Sequence, residues 1–558
     1  MNDSDRALVF KLASEDWEFE QIHRLNYRTF VEEIPQHAPN PDGRLVDRFH
    51  AENTYVICLH ERQLIGMLAV RAQRPFSLDS KVSQLDQYLP AGRIPVECRL
   101  LCVEREFRKT TVFTQLFELT VRYCMSEGYD LAVISGTTRQ LRLYRHLGFI
   151  PFGAVVGTEE ASYQPMFLTL EDFGRTIEKS AAFRSAFSEI PAEQHELNFL
   201  PGPVVVSALV RDAFCRPAVS HRGKVFLSLL GSLRSELCRL TGARDVQVLL
   251  GSGTLGNEVV AAQLSLHPET GLVISNGEFG ERLAAQARRA GLRFDWLRLS
   301  WGSTIDLDQA ALFMSRLSRG AWVWVVHHET STGVLNPLSQ LRDLCAHHGL
   351  RLCADCISSV GAMPVDLHGI HLATTASGKG LGSYPGLSLV FHDYTPQSQP
   401  DRLPGYLDLG HWYEHSSVPH THSSNLVNAL ALAVAQATRE RMASIADNAA
   451  WLRAQLVENG FTVLALGASA SPGIVTIVMN EESGLKAAEL GDELEMRGFW
   501  LSYRSYYLLQ RNWIQISLLG NPEREKLEKL LRVMRVVCGR LKLVNDSICS
   551  RPKSQLSR

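Results

Sequence analysis

The residues best suited to chemistry gather in the second half of this 558-residue chain. Lys379 stands in a run of small residues, with Ser377, Gly378, Gly380, Gly382, Ser383 and Gly386 around it. Glycines let a backbone come close to a ligand. A lysine in such a run suits a Schiff base better than a solvated surface; the alternative is an ordinary lysine in a glycine-rich loop. Asp355 ends an apolar, strand-like run, Leu350 to Ala354. A carboxylate buried there needs a cationic or hydrogen-bonding partner. Gly251, Ser252, Gly253 and Thr254 join a strand-like run, Asp245 to Leu250, to a helix expected from Asn257 to Leu266. That junction offers free N–H groups, two hydroxyls and the positive end of a helix dipole, a cradle for one phosphate. Plain strand-to-helix turns use the same residues. Phe279, in NGEFG, leaves another strand and either stacks on a flat ring or packs as a core aromatic.

Phosphate cradle, aromatic plate, buried aspartate and lysine together describe a site for pyridoxal 5'-phosphate (PLP). That cofactor is an electron sink which a protein holds and polarises. The elements that must position these residues alternate. Strands are expected over 245–250, 272–276, 294–299, 321–326 and 350–354, and helices over 257–266, to Ala290, 307–318 and 338–348. This order implies βαβ units and a mostly parallel sheet. In such sheets ligands sit at the carboxyl ends of the strands, where these motifs fall.

A chain this long exceeds one ordinary core, so at least two domains are expected. Apolar residues make up 45% and charged residues 21%, as in a soluble globular protein. The formal net charge of −2 gives no reason to expect a nucleic-acid partner. No signal peptide and no long apolar run is seen, so a cytoplasmic protein without a membrane partner is expected. Cys353 and Cys356 have CxxC form but end a buried strand and lack a second pair. They read as reduced core thiols, and no metal site is expected.

The first part, residues 1–175, mixes strands and helices. A helix is expected over 25–34, stopped by Pro35, then strands over 54–59, 63–71 and 96–103. A helix over 112–127, a strand over 130–135 and a short helix over 140–147 follow, giving a small α/β or α+β layer structure. Two stretches carry a resemblance. YRHLGF, Tyr144 to Phe149, looks like the YxxLGF signature of GNAT-family N-acyltransferases. VECRLLCVEREFRKTTVFTQLFEL resembles that family's acyl-CoA element, in which N–H groups at a helix N-terminus hold a pyrophosphate. Arg108 fits the family pattern, while Thr111 and Phe113 stand where small residues belong. The run LNYRTFVEE resembles acyltransferases that use longer acyl chains, so the donor is acyl-CoA or an acyl-carrier protein. The resemblance makes Tyr144 the general acid for the departing thiolate; the other reading is a core tyrosine. Glu97 is a base on the central strand or a partner of Arg99.

Residues 176–196 form a polar, helix-prone connector interrupted by Pro191. The tail, 546–558, is short, polar and basic, and is expected to be disordered.

Residues 197–545 resemble a class V aminotransferase of PLP fold type I. They lie near the group containing 2-aminoethylphosphonate, alanine–glyoxylate and serine–pyruvate transaminases. The resemblance runs through FLPGPV, SHRGKVF, GSGTLGNE, NGEFGERL, HHETSTGVLNPL, DCISSVGAMPVD and SGKGLGSYPG, in order. It implies that Lys379 carries the Schiff base and moves the proton, and that Asp355 holds the pyridinium. Ser252, Gly253 and Thr254 would bind phosphate, with Ser377 added. Phe279 would stack, and Thr330 would lie near the phenolic oxygen. Thr421, in the run PHT, would reach the phosphate of a neighbouring subunit, which implies a homodimer. FLPGPV, with Pro201 and Gly202, would line the substrate entrance. One departure stands out: Gln515, in WIQISLLG, occupies the place of an arginine that grips the substrate's anion in a bidentate fork.

The fold class expected is therefore α/β: a GNAT-like α/β domain, then a PLP fold type I domain with a mostly parallel sheet and a small C-terminal α/β subdomain. The expected function is a bifunctional enzyme. One half is a PLP-dependent transaminase passing an amino group between a small amine or amino acid and a keto acid. The other acylates an amine from an acyl thioester. The alternative is a single PLP activity (aminotransferase, lyase or cyclase) whose GNAT-like half is a binding or regulatory module.

Overall fold

A computed structural model of the chain describes residues 8–108, 110–158, 162–169, 172–173, 176, 197–479 and 484–549. The connector beyond Thr176 and the tail beyond residue 549 lie outside the described residues. Contacts divide the chain into two compact units. The first is Met1–Glu196 with Met496–Gly498 and Arg532–Arg558; the second is Leu197–Glu495 with Phe499–Leu531.

The second unit is built on a seven-stranded sheet. Its order is Asp245–Leu250, Leu387–His392, Leu372–Ala376, Arg351–Asp355, Trp322–Val326, Gly271–Ser275, Phe294–Arg298. Only Leu387–His392 runs against its neighbours; the remaining pairs are parallel. Helices cover both faces, so the strands read as unbroken apolar runs rather than alternating ones. WVWVV shows how this works. Trp322, Trp324 and Val326 pack with Val259, Val260, Leu283 and Ala284 from the helices Gly253–Leu264 and Glu278–Arg289. Val323 and Val325 pack on the other side with Leu230, Leu237 and Leu341 from the helices Lys224–Thr241 and Leu338–His348. Each such fully buried side chain contributes roughly 1.5–3 kcal/mol. The first of the site helices starts at Gly253, four residues before the Asn257 expected, so its N-terminus lies inside the GSGT run. A smaller antiparallel sheet, Thr462–Val463, Ile474–Val478 and Trp513–Ser517, forms the small C-terminal subdomain.

The first unit is an eight-stranded sheet. Its one parallel pair is Pro95–Val103 with Leu131–Thr137, joined only from Pro95↔Leu131 to Glu97↔Val133. Beyond that the two strands part. Leu100 sits at φ 54, and the ladder to Gln63–Arg71 slips between Met67 and Ala69. These local irregularities bend one strand away and open a fork in the sheet. The helix expected over 25–34 begins earlier, at Asp16–Tyr27, and continues as a π-helical turn, Arg28–Glu33.

Candidate active site

A cavity of about 600 Å³ opens at the carboxyl ends of the second unit's strands. Five of the seven strands deliver residues to it from those ends. Lys379 follows Leu372–Ala376, Asp355 ends its own strand, Thr330 follows Trp322–Val326 and Phe279 follows Gly271–Ser275. Ser252, Gly253 and Thr254 follow Asp245–Leu250. Gly202 lies directly against the lysine: a Cβ there would stand 2.7 Å from Nζ and 2.9 Å from Cε of Lys379. Any side chain at residue 202 would displace the lysine. Burial pushes the Lys379 pKa down; Asp355 opposes this and Arg282 adds to it. A depressed lysine supplies the neutral amine that a Schiff base needs.

Asp355 is 6% exposed. Its Oδ2 accepts from Asn257 Nδ2 at 2.8 Å and its Oδ1 from the Ile357 N–H at 2.9 Å. Asn257 is fixed in turn by Thr374, whose hydroxyl donates to Oδ1 at 2.7 Å. Burial raises the Asp355 pKa, while the bonds from Ile357 and Asn257 and the charge of Lys379 pull it back. A cation on the cavity side would complete this carboxylate.

Ser252 is the N-cap of the helix Gly253–Leu264, yet its side chain makes no capping bond. Ser252 and Thr254 are both exposed in the cavity wall. Hydroxyls and helix N–H groups are thus free for an anion. Glu329 sets the helix that carries Phe279. Its carboxylate accepts from the Gly280 N–H at 2.9 Å and the Phe279 N–H at 3.3 Å, and Ser331 Oγ accepts from Glu278 at 2.9 Å. Burial pushes the Glu329 carboxyl up to about 7 against those donors. His328 also lines the cavity. Its Nδ1 lies 3.1 Å from the Ser358 carbonyl, which fixes Nδ1 as the donor and leaves Nε2 to accept from Ser471 Oγ. Burial holds its pKa down to about 3, so the ring is neutral.

In the first unit, Tyr144 packs its ring on Gly136, where a Cβ would meet it at 2.9 Å. Burial raises its pKa, and a bond from the Thr137 backbone lowers it. Glu97 is fully buried and accepts from Ser77 N at 2.7 Å, Leu78 N at 3.1 Å and the Ser77 hydroxyl. Arg99 Nε lies 3.8 Å away. The carboxylate is therefore the anchor of the turn Ser77–Ser80. Arg108 grips Glu33 with two nitrogens at 2.5 and 2.6 Å and donates to the Val103 carbonyl at 2.8 Å. Phe113 stacks on Phe117 with centroids 6.0 Å apart.

Known proteins divide along the same line. The family model of N-acyl amino acid synthase FeeM matches residues 21–170, and that of aminotransferase class V matches residues 210–423. Two separate stretches of the chain thus match two different families, an N-acyl amino acid synthase and a class V aminotransferase. A 2-aminoethylphosphonate–pyruvate transaminase of Aeromonas hydrophila subsp. hydrophila is 32% identical over 216 residues, 36% of this chain. The chain spans 56% of that relative's length. One from Pseudomonas fluorescens is 27% identical over 361 residues, 62% of this chain and 97% of the relative. Among solved structures, a subgroup IV aspartate aminotransferase of Thermus thermophilus aligns with a TM-score of 0.54 and 27% identity. It covers 62% of this chain and 99% of its own. An alanine–glyoxylate aminotransferase of Nostoc sp. aligns at 0.56 and 25% identity, over 62% and 96%.

The aminotransferase domain's cavity fits PLP, the cofactor its family implies. Asp355 lies in the wall braced by Asn257 and Ile357, the Ser252 side chain leaves the helix at Gly253 uncapped, and Lys379 and Phe279 lie within the same walls. Not every expected residue is there. The Ser377 hydroxyl donates to the Tyr384 carbonyl at 2.6 Å and accepts from the Leu387 N–H at 3.1 Å, and it is not part of the cavity wall. Pro201 and Thr421 also lie off the wall, Thr421 being exposed. Gln515 turns away from the cavity: its Nε2 bonds the Thr330 carbonyl at 2.8 Å and the Ser331 carbonyl at 3.1 Å. Its Oε1 is buried with no partner among the described residues. Of the arginines near it in sequence, Arg504 is paired with Asp492 and Glu495, and Arg511 lies 3.6 Å from the centroid of Trp301. Several polar wall residues were not expected, among them Asn257, Glu258, Arg282, Gln286, Arg289, His328 and Ser358. Asn257 stands nearly one turn beyond Thr254, hence on the same side of the helix, which is the signal that could have found it. Arg282 and Arg289 are seven residues apart on Phe279's helix, hence on one face. Among the described residues no group of three or more His, Cys, Asp or Glu could hold a metal ion, and no helix is long and apolar enough to cross a membrane.

Proposed function

We propose that this chain is a bifunctional enzyme: a PLP-dependent transaminase for a small amine or amino acid and a keto acid, fused to an N-acyltransferase for an amine of the same pathway. The observation that carries the first half is Lys379, depressed by burial, pressed against Gly202 and facing Asp355 in one cavity. PLP bound there supplies an electron sink for the substrate carbon that bears the amine. The chain's own groups do the rest. Asp355, braced by Asn257, holds a positive ring nitrogen. Ser252, Gly253 and Thr254 hold the phosphate at the helix N-terminus. Phe279 forms a flat wall and excludes water. Lys379 takes and returns the proton at the reacting carbon. Arg289 in the wall is the cation for an anionic amino donor where residue 515 is glutamine, while Arg282 is paired with Glu278 at 2.9 Å. The relatives' names make an aminophosphonate the first donor to try.

The acyl half, residues 1–175, takes its acyl group from acyl-CoA or an acyl-carrier protein, with Tyr144 as the proton donor to the leaving thiolate. The transaminase half, residues 197–545, works as a homodimer, with Thr421 exposed to reach a partner. A cytoplasmic setting suits the ten free cysteines described.

The test is the visible spectrum of the purified protein, followed by a panel of amino acids and aminophosphonates. A band bleached by one donor class supports the transaminase and names its donor. No band after added PLP overturns it. A second reading, in which the first unit only binds or regulates, is favoured by Arg108 being spent on Glu33 and by Phe113 at the phosphate turn. Transfer of labelled acyl groups to any amine by the full chain would exclude it.

A further inference from the structure

The second unit holds another cavity that the transaminase chemistry does not use. It measures about 1130 Å³ and lies between the helix Leu338–His348 and the junction of the helices Ser424–Gln436 and Arg439–Glu458. Ala437 and Thr438 make that junction, and both line the cavity. Leu335, Pro337, Val365, Val434 and Met442 give it a largely apolar wall.

Two polar groups interrupt the wall. His327 is 7% exposed, and its Nδ1 lies 3.0 Å from Ser359 Oγ. The Ser359 hydroxyl donates to the Cys356 carbonyl at 3.3 Å, so it accepts from Nδ1–H and leaves Nε2 as an acceptor. Nε2 has no partner among the described residues and opens into the cavity. Burial holds the His327 pKa down to about 4, so the ring is neutral. Arg439, exposed in the wall, makes no ion pair among the described residues.

This cavity is tied to the PLP site at two places. His327 lines one cavity and its neighbour His328 the other; the Ser359 hydroxyl holds the first ring and the Ser358 carbonyl the second. The start of Arg439–Glu458 is the other tie. Arg439, Glu440 and Ala443 line the cavity, while Arg441 between them donates to the Gly380 carbonyl at 3.0 Å, the Leu519 carbonyl at 2.8 Å and the Gly361 carbonyl. Gly380 follows Lys379. A ligand wedged against this turn, at a two-residue junction between helices, pulls on the loop that carries the lysine.

We infer that this cavity binds an acylated amino acid, which inhibits amino transfer from there. The acyl chain lies along the apolar wall, the amide N–H donates to His327 Nε2, and the carboxylate meets Arg439. The ligand is the product class of the first unit, so its role as feedback rests on reading that unit as an N-acyltransferase.

The test is photolabelling of the full chain with an N-octanoyl-leucine whose acyl chain carries a diazirine, mapped by mass spectrometry. Adducts should fall within 335–340 and 434–446 and be competed away by unlabelled N-octanoyl-leucine. Ala443 is an exposed position of the lining helix, so Ala443→Trp fills the cavity without crowding the core, and labelling there should vanish. Arg439→Glu should weaken it about threefold to fivefold, the weight of one exposed ion pair. In parallel, N-octanoyl-leucine should slow amino transfer by the parent about fivefold or more, the lower end of ordinary coupling, and leave Ala443→Trp unaffected. Adducts only outside these stretches, or undiminished in Ala443→Trp, overturn the site. Labelling without inhibition, or inhibition that persists in Ala443→Trp, overturns its regulatory role. Labelling lost in Ala443→Trp, with no acyl transfer by the parent, keeps the site and removes the acyltransferase reading. The same labelling with no amino transfer from any donor keeps the site and removes the transaminase reading.

Discussion

At the residue scale, the cavity is governed by two buried charges that depend on each other. Lys379 loses solvation and drifts toward the neutral amine, while Asp355 loses solvation and drifts toward the acid. Lys379→Ala should abolish both the visible band and amino transfer, because no other wall residue can form a Schiff base; turnover retained by that variant would refute the assignment. Asn257→Ala should act more gently. It removes one of the two hydrogen bonds on Asp355 and frees the Thr374 hydroxyl. A lost bond to a charged group costs about 1.5–3 kcal/mol, so PLP affinity should fall by one to two orders of magnitude. Equilibrium dialysis of the cofactor measures it, and unchanged affinity would show that Asn257 braces nothing. Gln515 is the instructive case. Its place in the strand was legible, and that place invites a substrate role. Where a buried amide points depends on which carbonyls surround it, and those belong to Thr330 and Ser331, distant in sequence. Gln515→Leu should therefore cost stability, about 1–3 kcal/mol for each carbonyl left unpaired. A urea midpoint equal to the parent's would return Gln515 to the substrate.

At the scale of elements, the parallel sheet was legible because buried strands write themselves as apolar runs and their exits carry Gly, Ser, Asp and Lys. The N-terminus inside GSGT was displaced by four residues, since glycines lower helix propensity and only tertiary packing starts the helix there. The fork in the first sheet was not legible. It follows from a left-handed Leu100 and a slipped ladder, neither of which has a sequence signature. Glu329 shows how one element is held by another, and it gives the domain a pH dependence. Burial pushes its carboxyl from 4.5 to about 7. The folded protein therefore keeps a proton that the unfolded chain releases between those values. That contribution to stability is fully present below about 4.5 and is lost as pH rises through about 7, roughly 3 kcal/mol in all. Glu329→Gln cannot ionise, so its denaturation midpoint should lose this part of the fall between pH 5 and pH 8. Parallel pH profiles for the parent and the variant would contradict the buried, protonating carboxyl.

At the scale of the whole molecule, the residues proposed for the two activities lie each within one unit. Lys379, Asp355, Asn257 and the Gly253 helix belong to the second unit; Tyr144 belongs to the first. No wall residue of the PLP cavity comes from the first unit. Two activities built this way should separate by single substitutions made in the full chain. Lys379→Ala should lose amino transfer and keep acyl transfer to an amino acid at the parent rate. Tyr144→Phe should keep the visible band and its bleaching by the donor, while acyl transfer falls by the 10²–10⁴-fold typical of a lost general acid. The pair of variants is read in both assays. If Lys379→Ala also ended acyl transfer, the acyl half would depend on the amine made by its neighbour or on bound cofactor. Adding the free amino acid distinguishes these, since only the first dependence is relieved by supplying the acceptor. If Tyr144→Phe left acyl transfer unchanged, the hydroxyl that burial keeps protonated would be a packing group on Gly136, and the proton donor would lie elsewhere along the fork.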